Sequence, residues 1–222
     1  MLSIYIYIIG HPIDYMAQKK EGTFSILGIA GSLRRESFNR ALLRAASEVV
    51  PRGVTLDVFS LKGIPLFNQD LEELRMPVRV KDFKDKIEGA DAVLIATPEY
   101  TSSFPGVLKN ALDWASRPHG HNSFEGKTVA VVSASTGALG GSRAQYHLRQ
   151  VLLDLDARLV TRPGVFLSYA YRKFNANGEL TDDIARSLLK ELLHNVIATA
   201  ISSRGGRQEI APGETASAMM TS

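Results

Sequence analysis

Five short strand-like runs, some apolar throughout and one alternating, alternate with amphipathic helical patterns along this chain, and that order restricts the fold more than any single residue does. The runs are residues 24–30, 54–59, 91–97, 127–133 and 158–166. The third, DAVLIAT, is apolar at both odd and even positions, as in a parallel strand covered on both faces. Between the runs, Phe38, Leu42, Ala45, Ala46 and Val49 share one helical face. Pro77 opens a helix that carries Val80, Phe83 and Ile87 and ends at Gly89, and Pro105 opens one that carries Leu108, Ala111, Leu112 and Ala115. A further stripe runs through Ala144, Leu148, Val151, Leu152 and Leu155. Thr181 is expected to cap the last helix, with Asp182 and Asp183 in its first turn and Ile184, Leu188, Leu192, Val196 and Ala200 facing inward. Residues 62–70 and 168–178 read as irregular. The expected fold is α/β, a doubly wound sheet of five parallel strands with helices on both faces.

One domain over residues 23–201 accommodates these elements. Residues 1–22 read as an N-terminal extension, β-rich or disordered; its apolar run from Leu2 to Ile9 lacks the basic flank of a signal peptide. Residues 202–222 are dominated by Gly, Ser, Thr and Ala and are expected to be a disordered tail. No run of 18 or more apolar residues occurs, so no membrane span is expected, and the location is read as cytoplasmic. Cysteine is absent, which removes disulfides, zinc–thiolate sites and thiol redox chemistry together. Any electron transfer therefore needs a cofactor. The net charge of +3 is mild and no block of five like charges exists, so nucleic-acid binding is not expected.

Ligands of doubly wound sheets bind outside the carboxyl ends of the strands. Three loops end apolar strands here, residues 31–39, 98–105 and 133–141, and a strand order of 2-1-3-4-5 would make them neighbours. In the first, Ser32 and Ser37 offer hydroxyls, Asn39 an amide and Arg34 a guanidinium, just where a helix N-terminus favours an anion. The plainer alternative is that Ser37 and Asn39 cap the helix while Arg34, Arg35 and Arg40 form a solvated edge. No Gly-Lys-Ser/Thr follows the loop and no Gly-x-Gly-x-x-Gly is present, which argues against nucleotide hydrolysis and dinucleotide cradling there. A ring of hydroxyls and Arg suits a terminal phosphomonoester. Elsewhere, Gly140-x-Ser142-x-Ala144 imitates a nucleophile elbow without its final Gly, and no convincing Asp and His follow. His119 and His121 lack a carboxylate cluster for a metal, Trp114 reads as core, and Tyr146 and His147 read as interface or solvent residues.

Three stretches together carry a resemblance: Gly31-Ser-Leu-Arg-x-x-Ser-x-Asn39, Pro98-Glu-Tyr-x-x-Ser-x-Pro-Gly-x-Leu-Lys-Asn-Ala-Leu-Asp-Trp114, and Ser135-Thr-Gly-x-x-Gly-Gly-x-Arg-Ala-Gln145. With them the chain resembles the NADPH-dependent FMN reductase family, the flavodoxin-like group that includes chromate and quinone reductases, over roughly residues 24–200. The resemblance implies a flavodoxin-like fold with sheet order 2-1-3-4-5. It implies FMN as cofactor, with NADPH or NADH as co-substrate. Ser32, Leu33, Arg34, Ser37, Phe38 and Asn39 match the FMN phosphate loop. Pro98, Glu99, Tyr100 and Thr101 match the loop along the flavin ring, and Ser135, Thr136 and Gly137 match the turn at its pyrimidine edge. Arg143 and Gln145 match positions near the cofactor or a subunit contact, and Ile64-Pro-Leu-Phe-Asn-Gln-Asp70 resembles a loop that lines the site from a partner subunit. The chain departs at Thr101, where the family usually has Asn.

The implied activity is an oxidoreductase that passes hydride from reduced nicotinamide through FMN N5 to a flavin, quinone or similar small-molecule acceptor. No catalytic acid or base is required, no metal is expected, and a homodimer or homotetramer is implied. The alternative is a flavodoxin-like electron carrier without nicotinamide activity, although such carriers tend to be acidic.

Overall fold

Each of the five runs becomes a strand: β1 (Phe24–Ala30), β2 (Val54–Phe59), β3 (Ala92–Ala96), β4 (Thr128–Ala134) and β5 (Arg158–Leu167). The computed structural model describes residues 23–208. Its single sheet has the order β2-β1-β3-β4-β5, and every neighbouring pair is parallel. The expected extension over residues 1–22 and the part of the expected tail beyond residue 208 lie outside the described residues.

Helices α1 (Phe38–Val49), α2 (Gln69–Leu74), α3 (Val78–Gly89), α4 (Gly106–Ala115), α5 (Ser142–Asp154) and α6 (Asp183–Gln208) fill the connections, with a short 3₁₀ turn at Ala170–Arg172. Alternate side chains of each strand supply two cores. Ile26, Leu94 and Val132 face α1 and α6, where they meet Leu42, Leu193 and Val196. Leu27, Ile95 and Val131 face α3, α4 and α5, where they meet Phe83, Leu112 and Leu148. Because central strands are covered on both sides, β3 and β4 are buried throughout.

The structure departs from the sequence expectations at four places. Residues 69–74 form α2, a helix the sequence reading did not expect, which begins inside the 62–70 stretch read as irregular; Asn68 caps it by accepting from Asp70 N–H at 2.9 Å. The last helix buries a face centred on Ala185, Leu189, Leu192 and Val196, and leaves Ile184 75% exposed. Its cap is Asp182, whose Oδ1 accepts from Ala185 N–H at 2.8 Å, whereas Thr181 donates its hydroxyl to Lys173 O at 3.2 Å. The helix also continues past Ser202 to Gln208, so the domain boundary at residue 201 falls inside it. Trp114, by contrast, is fully buried as expected, and its indole N–H donates to Pro65 O at 2.9 Å.

Asp182 joins two stabilising roles. It caps α6 and accepts a charge-assisted bond from the Lys173 ammonium. That bond, followed by the backbone bond, holds its carboxyl below the usual carboxylate range. Asp182→Ala is expected to cost about 1–2 kcal/mol at neutral pH, measured by urea denaturation. A depressed folded pKa contributes stability above the unfolded value of about 3.9, lost as pH falls through the folded value. The deficit of the variant should therefore shrink below about pH 4, and a deficit independent of pH would contradict this account.

Candidate functional site

The three loops converge at the carboxyl ends of β1, β3 and β4 around an open cleft. The first loop contributes Ser32, Arg34, Ser37, Phe38 and Asn39, the second Pro98, Glu99 and Tyr100, and the third Ser135 and Thr136. Ala134, at the end of β4, completes the lining and was not anticipated. Leu33, Thr101 and Gly137 adjoin the cleft in sequence but are not part of its lining.

Gly31 lets the first loop leave the sheet: its N–H bonds Ala96 O at 2.8 Å, and a Cβ there would stand 3.2 Å from Leu108 Cδ2. Ser37 is the N-cap of α1, its hydroxyl accepting from Asn39 N–H at 3.2 Å. The open end of that helix and its dipole are thereby presented to the cleft. Ser32 accepts from Arg34 N–H at 3.3 Å, and the Arg34 guanidinium is exposed without a side-chain partner among the described residues. Hydroxyls, helix amides and a free guanidinium form a donor set that matches an oxygen-rich dianion such as a phosphomonoester.

Asn39 does not join that set. It is 2% exposed; its Nδ2 donates to Ala134 O and its Oδ1 accepts from Ala134 N–H, both at 2.9 Å. Its amide fastens the first loop to the third.

The second loop closes on itself. Tyr100 and Ser103 exchange both backbone hydrogen bonds, at 2.8 and 3.0 Å, around Thr101 and Ser102, whose φ values are 48 and 63°. Two left-handed residues in succession define a tight turn that favours Asn and Gly. Thr, being β-branched, fits it poorly. The turn leaves Tyr100 52% exposed, a flat aromatic surface beside the cleft. Its hydroxyl is 3.4 Å from Ser32 Oγ.

Glu99 lines the cleft, but its carboxylate is directed to α5. It accepts from Arg143 N–H at 3.1 Å and from Arg143 Nε at 2.6 Å, so it caps α5 and pairs with the guanidinium. The only carboxylate of the lining is thus neutralised by an arginine. Gln145 is fully buried, donating to Ser133 Oγ and Val165 O at 2.8 Å, and holds the third loop from behind.

In the third loop, Ser135 Oγ accepts from Gly137 N–H at 3.2 Å, while Thr136 is exposed. The rival sites find no such assembly. Ser142 opens α5 with its N–H on Leu139 O, and no His contacts it among the described residues; His147 reaches Ser103 instead, at 3.1 Å. Among the described residues no group of three His, Cys, Asp or Glu could hold a metal, and no helix is long and apolar enough to cross a membrane.

The chain matches a family model described as NADPH-dependent FMN reductase over residues 24–172. It is 48% identical over 168 residues to an NAD(P)H-dependent FMN reductase of Pseudomonas aeruginosa, covering 76% of this chain and 90% of that one. It is 43% identical over 159 residues to a quinone reductase of Pseudomonas putida, covering 72% and 86%. Among solved structures, the flavoenzyme NAD(P)H:(acceptor) oxidoreductase FerB of Paracoccus denitrificans superposes with a TM-score of 0.75 at 32% identity, over 81% of this chain and 98% of that one.

The turn geometry makes Thr101 a strained residue. Holding a non-Gly residue in the left-handed region costs about 1–2 kcal/mol, and less for Asn. Thr101→Asn is expected to raise unfolding stability by about 0.5–1 kcal/mol, measured as a shift of the denaturant midpoint with the slope unchanged. A neutral or destabilising result would show that the turn is relaxed.

Proposed function

The chain belongs to the NADPH-dependent FMN reductase family, and from that membership we propose an FMN-carrying NAD(P)H oxidoreductase that delivers electrons to quinone-type small-molecule acceptors. The observation that supports this reading is the donor set of the cleft: it suits one phosphate, and among the described residues its lining holds no unpaired carboxylate. Bound FMN would supply the hydride and electron chemistry that this cysteine-free chain lacks.

Each residue then has a task. Ser32, Ser37, Arg34 and the first amides of α1 would hold the phosphate. Tyr100 and Pro98 would lie along the ring, and residues 135–137 would meet its polar edge with main-chain dipoles that favour added negative charge. Phe38 and Ala134 would exclude water beneath it. Asn39 and Glu99 act on the shape of the cleft, keeping its walls at fixed spacing. Hydride transfer needs alignment rather than proton transfer, so a carboxylate already paired with Arg143 is no handicap.

The proposal includes a cytoplasmic homodimer or homotetramer. Leu66, Leu74 and Val78 are 81, 83 and 74% exposed on the segment from β2 to α3, an apolar surface of the kind that subunits cover. The neighbouring residues are held in place: Phe67 N–H donates to Asn110 Oδ1 at 2.7 Å, and Asn110 Nδ2 to Pro65 O at 2.8 Å.

Two measurements test the reading. Purified protein is expected to show flavin absorbance near about 450 nm, to bleach on anaerobic addition of NADPH or NADH, and to recover on addition of a quinone. Flavin that binds but is not bleached by either nucleotide would leave only an electron carrier. Arg34→Ala is expected to weaken FMN binding by ~1–3 kcal/mol in a fluorescence titration, because it removes a charge-assisted contact; unchanged affinity would exclude Arg34 from the phosphate site.

A further inference from the structure

The turn after β5 stands directly against the third loop of the cleft. Tyr169 N–H donates to Gly137 O at 3.2 Å, Ala170 N–H to Ser135 O at 2.9 Å, and Ser168 Oγ to Ala138 O at 2.6 Å. On this turn Tyr169 and Tyr171 are 43% and 51% exposed, their rings edge to face with centroids 6.4 Å apart. The Arg172 guanidinium carbon is 5.3 Å from both centroids. Tyr169 has φ 49°, a costly conformation for a bulky aromatic residue. The fully buried Ala170 and the bond from Arg172 N–H to Tyr169 O, 2.8 Å, keep it there. None of the three large side chains serves the core, and Arg172 has no carboxylate partner among the described residues.

We propose that Tyr169, Tyr171 and Arg172 seat the adenosine end of the reductant, with the Arg172 guanidinium on its ribose 2′-phosphate, so that this enzyme prefers NADPH to NADH. The inference rests on the reductase reading above. A dinucleotide that brings its nicotinamide to the cleft must carry its adenosine beyond the rim, and this turn forms the rim beside the third loop. Exposed tyrosine faces suit a stacked base. A guanidinium held next to the base-stacking surface is placed for a phosphate on the adjoining ribose, and its fork matches phosphate oxygens in pairs. Of the other arginines near this edge, Arg143 is bound to Glu99 and Arg149 to Gln145.

The test compares wild type with Arg172→Met, which keeps the apolar stem and removes the charge. The variant is expected to retain its FMN and to keep kcat/KM for NADH within about twofold, while kcat/KM for NADPH falls about tenfold or more, through KM rather than kcat. Calorimetry on flavin-free protein should show the same selective loss for NADP⁺ and none for NAD⁺. Tyr171→Ala should raise KM for both nucleotides together. The proposal is overturned if wild type treats NADPH and NADH alike, if Arg172→Met leaves their ratio unchanged or weakens both equally, or if Tyr171→Ala leaves both KM values unchanged. A wild type whose FMN is reduced by neither nucleotide removes the reductase reading and this proposal with it.

Discussion

Asn39 reaches from the start of α1 to the end of β4 and satisfies both backbone groups of Ala134, at 2.9 Å each. β1 and β4 are not neighbours in the sheet; β3 lies between them. The amide therefore crosses the end of β3, and it fixes the phosphate-type loop against the loop that follows β4. Only a short side-chain amide presents a donor and an acceptor side by side at this length. Aspartate would set a carboxylate oxygen against Ala134 O, and alanine would strand a buried N–H and C=O at a cost of about 1–3 kcal/mol each. The larger consequence is geometric, since without this brace the spacing between the first and third loops is undetermined.

The second loop is fixed to the third by a different device, and the reason lies in Gly141. That residue has φ 86°, and a Cβ on it would stand 2.7 Å from Ser133 Cβ, so only glycine fits. A glycine has no side chain to cap the helix it precedes. Glu99 supplies the missing cap from the neighbouring loop and adds the ion pair with Arg143, and His147 adds a bond to Ser103. Close packing at one point thus creates a need that the adjacent loop fills, and the filling of it fixes the second loop to the first turns of α5, which follows the third loop.

The strands were readable from two patterns: residues 24–30 form an apolar run that is buried nearly throughout, and residues 54–59 alternate, with Val54, Leu56 and Phe59 buried. The last helix was readable as a helix and, through Leu188, Leu192, Val196 and Ala200, along most of its inward stripe. Its first turn departs: Ile184 belongs to the stripe by spacing, yet it is exposed, and Ala185 and Leu189 widen the buried face instead. Its cap departs as well: Thr181 and Asp182 are both good capping residues, and the Lys173 ammonium decides between them. At the site, the three loops meet as the sequence order implied, but the Asn39 and Glu99 side chains, which looked like ligand groups, are engaged with Ala134 and Arg143. Sequence carries no record of which partner a polar side chain chooses when the partner is a distant backbone. The turn at Ala170–Arg172 was passed over as irregular; the Tyr-x-Tyr-Arg order within it was the available signal.

A division of labour follows from these contacts. Of the polar side chains buried near the cleft, Asn39, Ser133 and Gln145 are spent on backbone or on each other, whereas Ser32 and Ser37 keep their hydroxyls at its lining. The larger groups left to meet ligands, Arg34, Tyr100, Thr136, Tyr169 and Arg172, are exposed. On the proposed reading, a site arranged in this way would hold its cofactor by the tail on a rigid floor and leave the reacting face bounded by little of its own chain. Selection among acceptors then depends on whatever else covers that face, and the apolar surface of Leu66, Leu74 and Val78 gives a second copy of the chain the means to do so. On the proposed reading, selection of the reductant would not depend on that cover, because the turn after β5 is anchored to the third loop within a single chain.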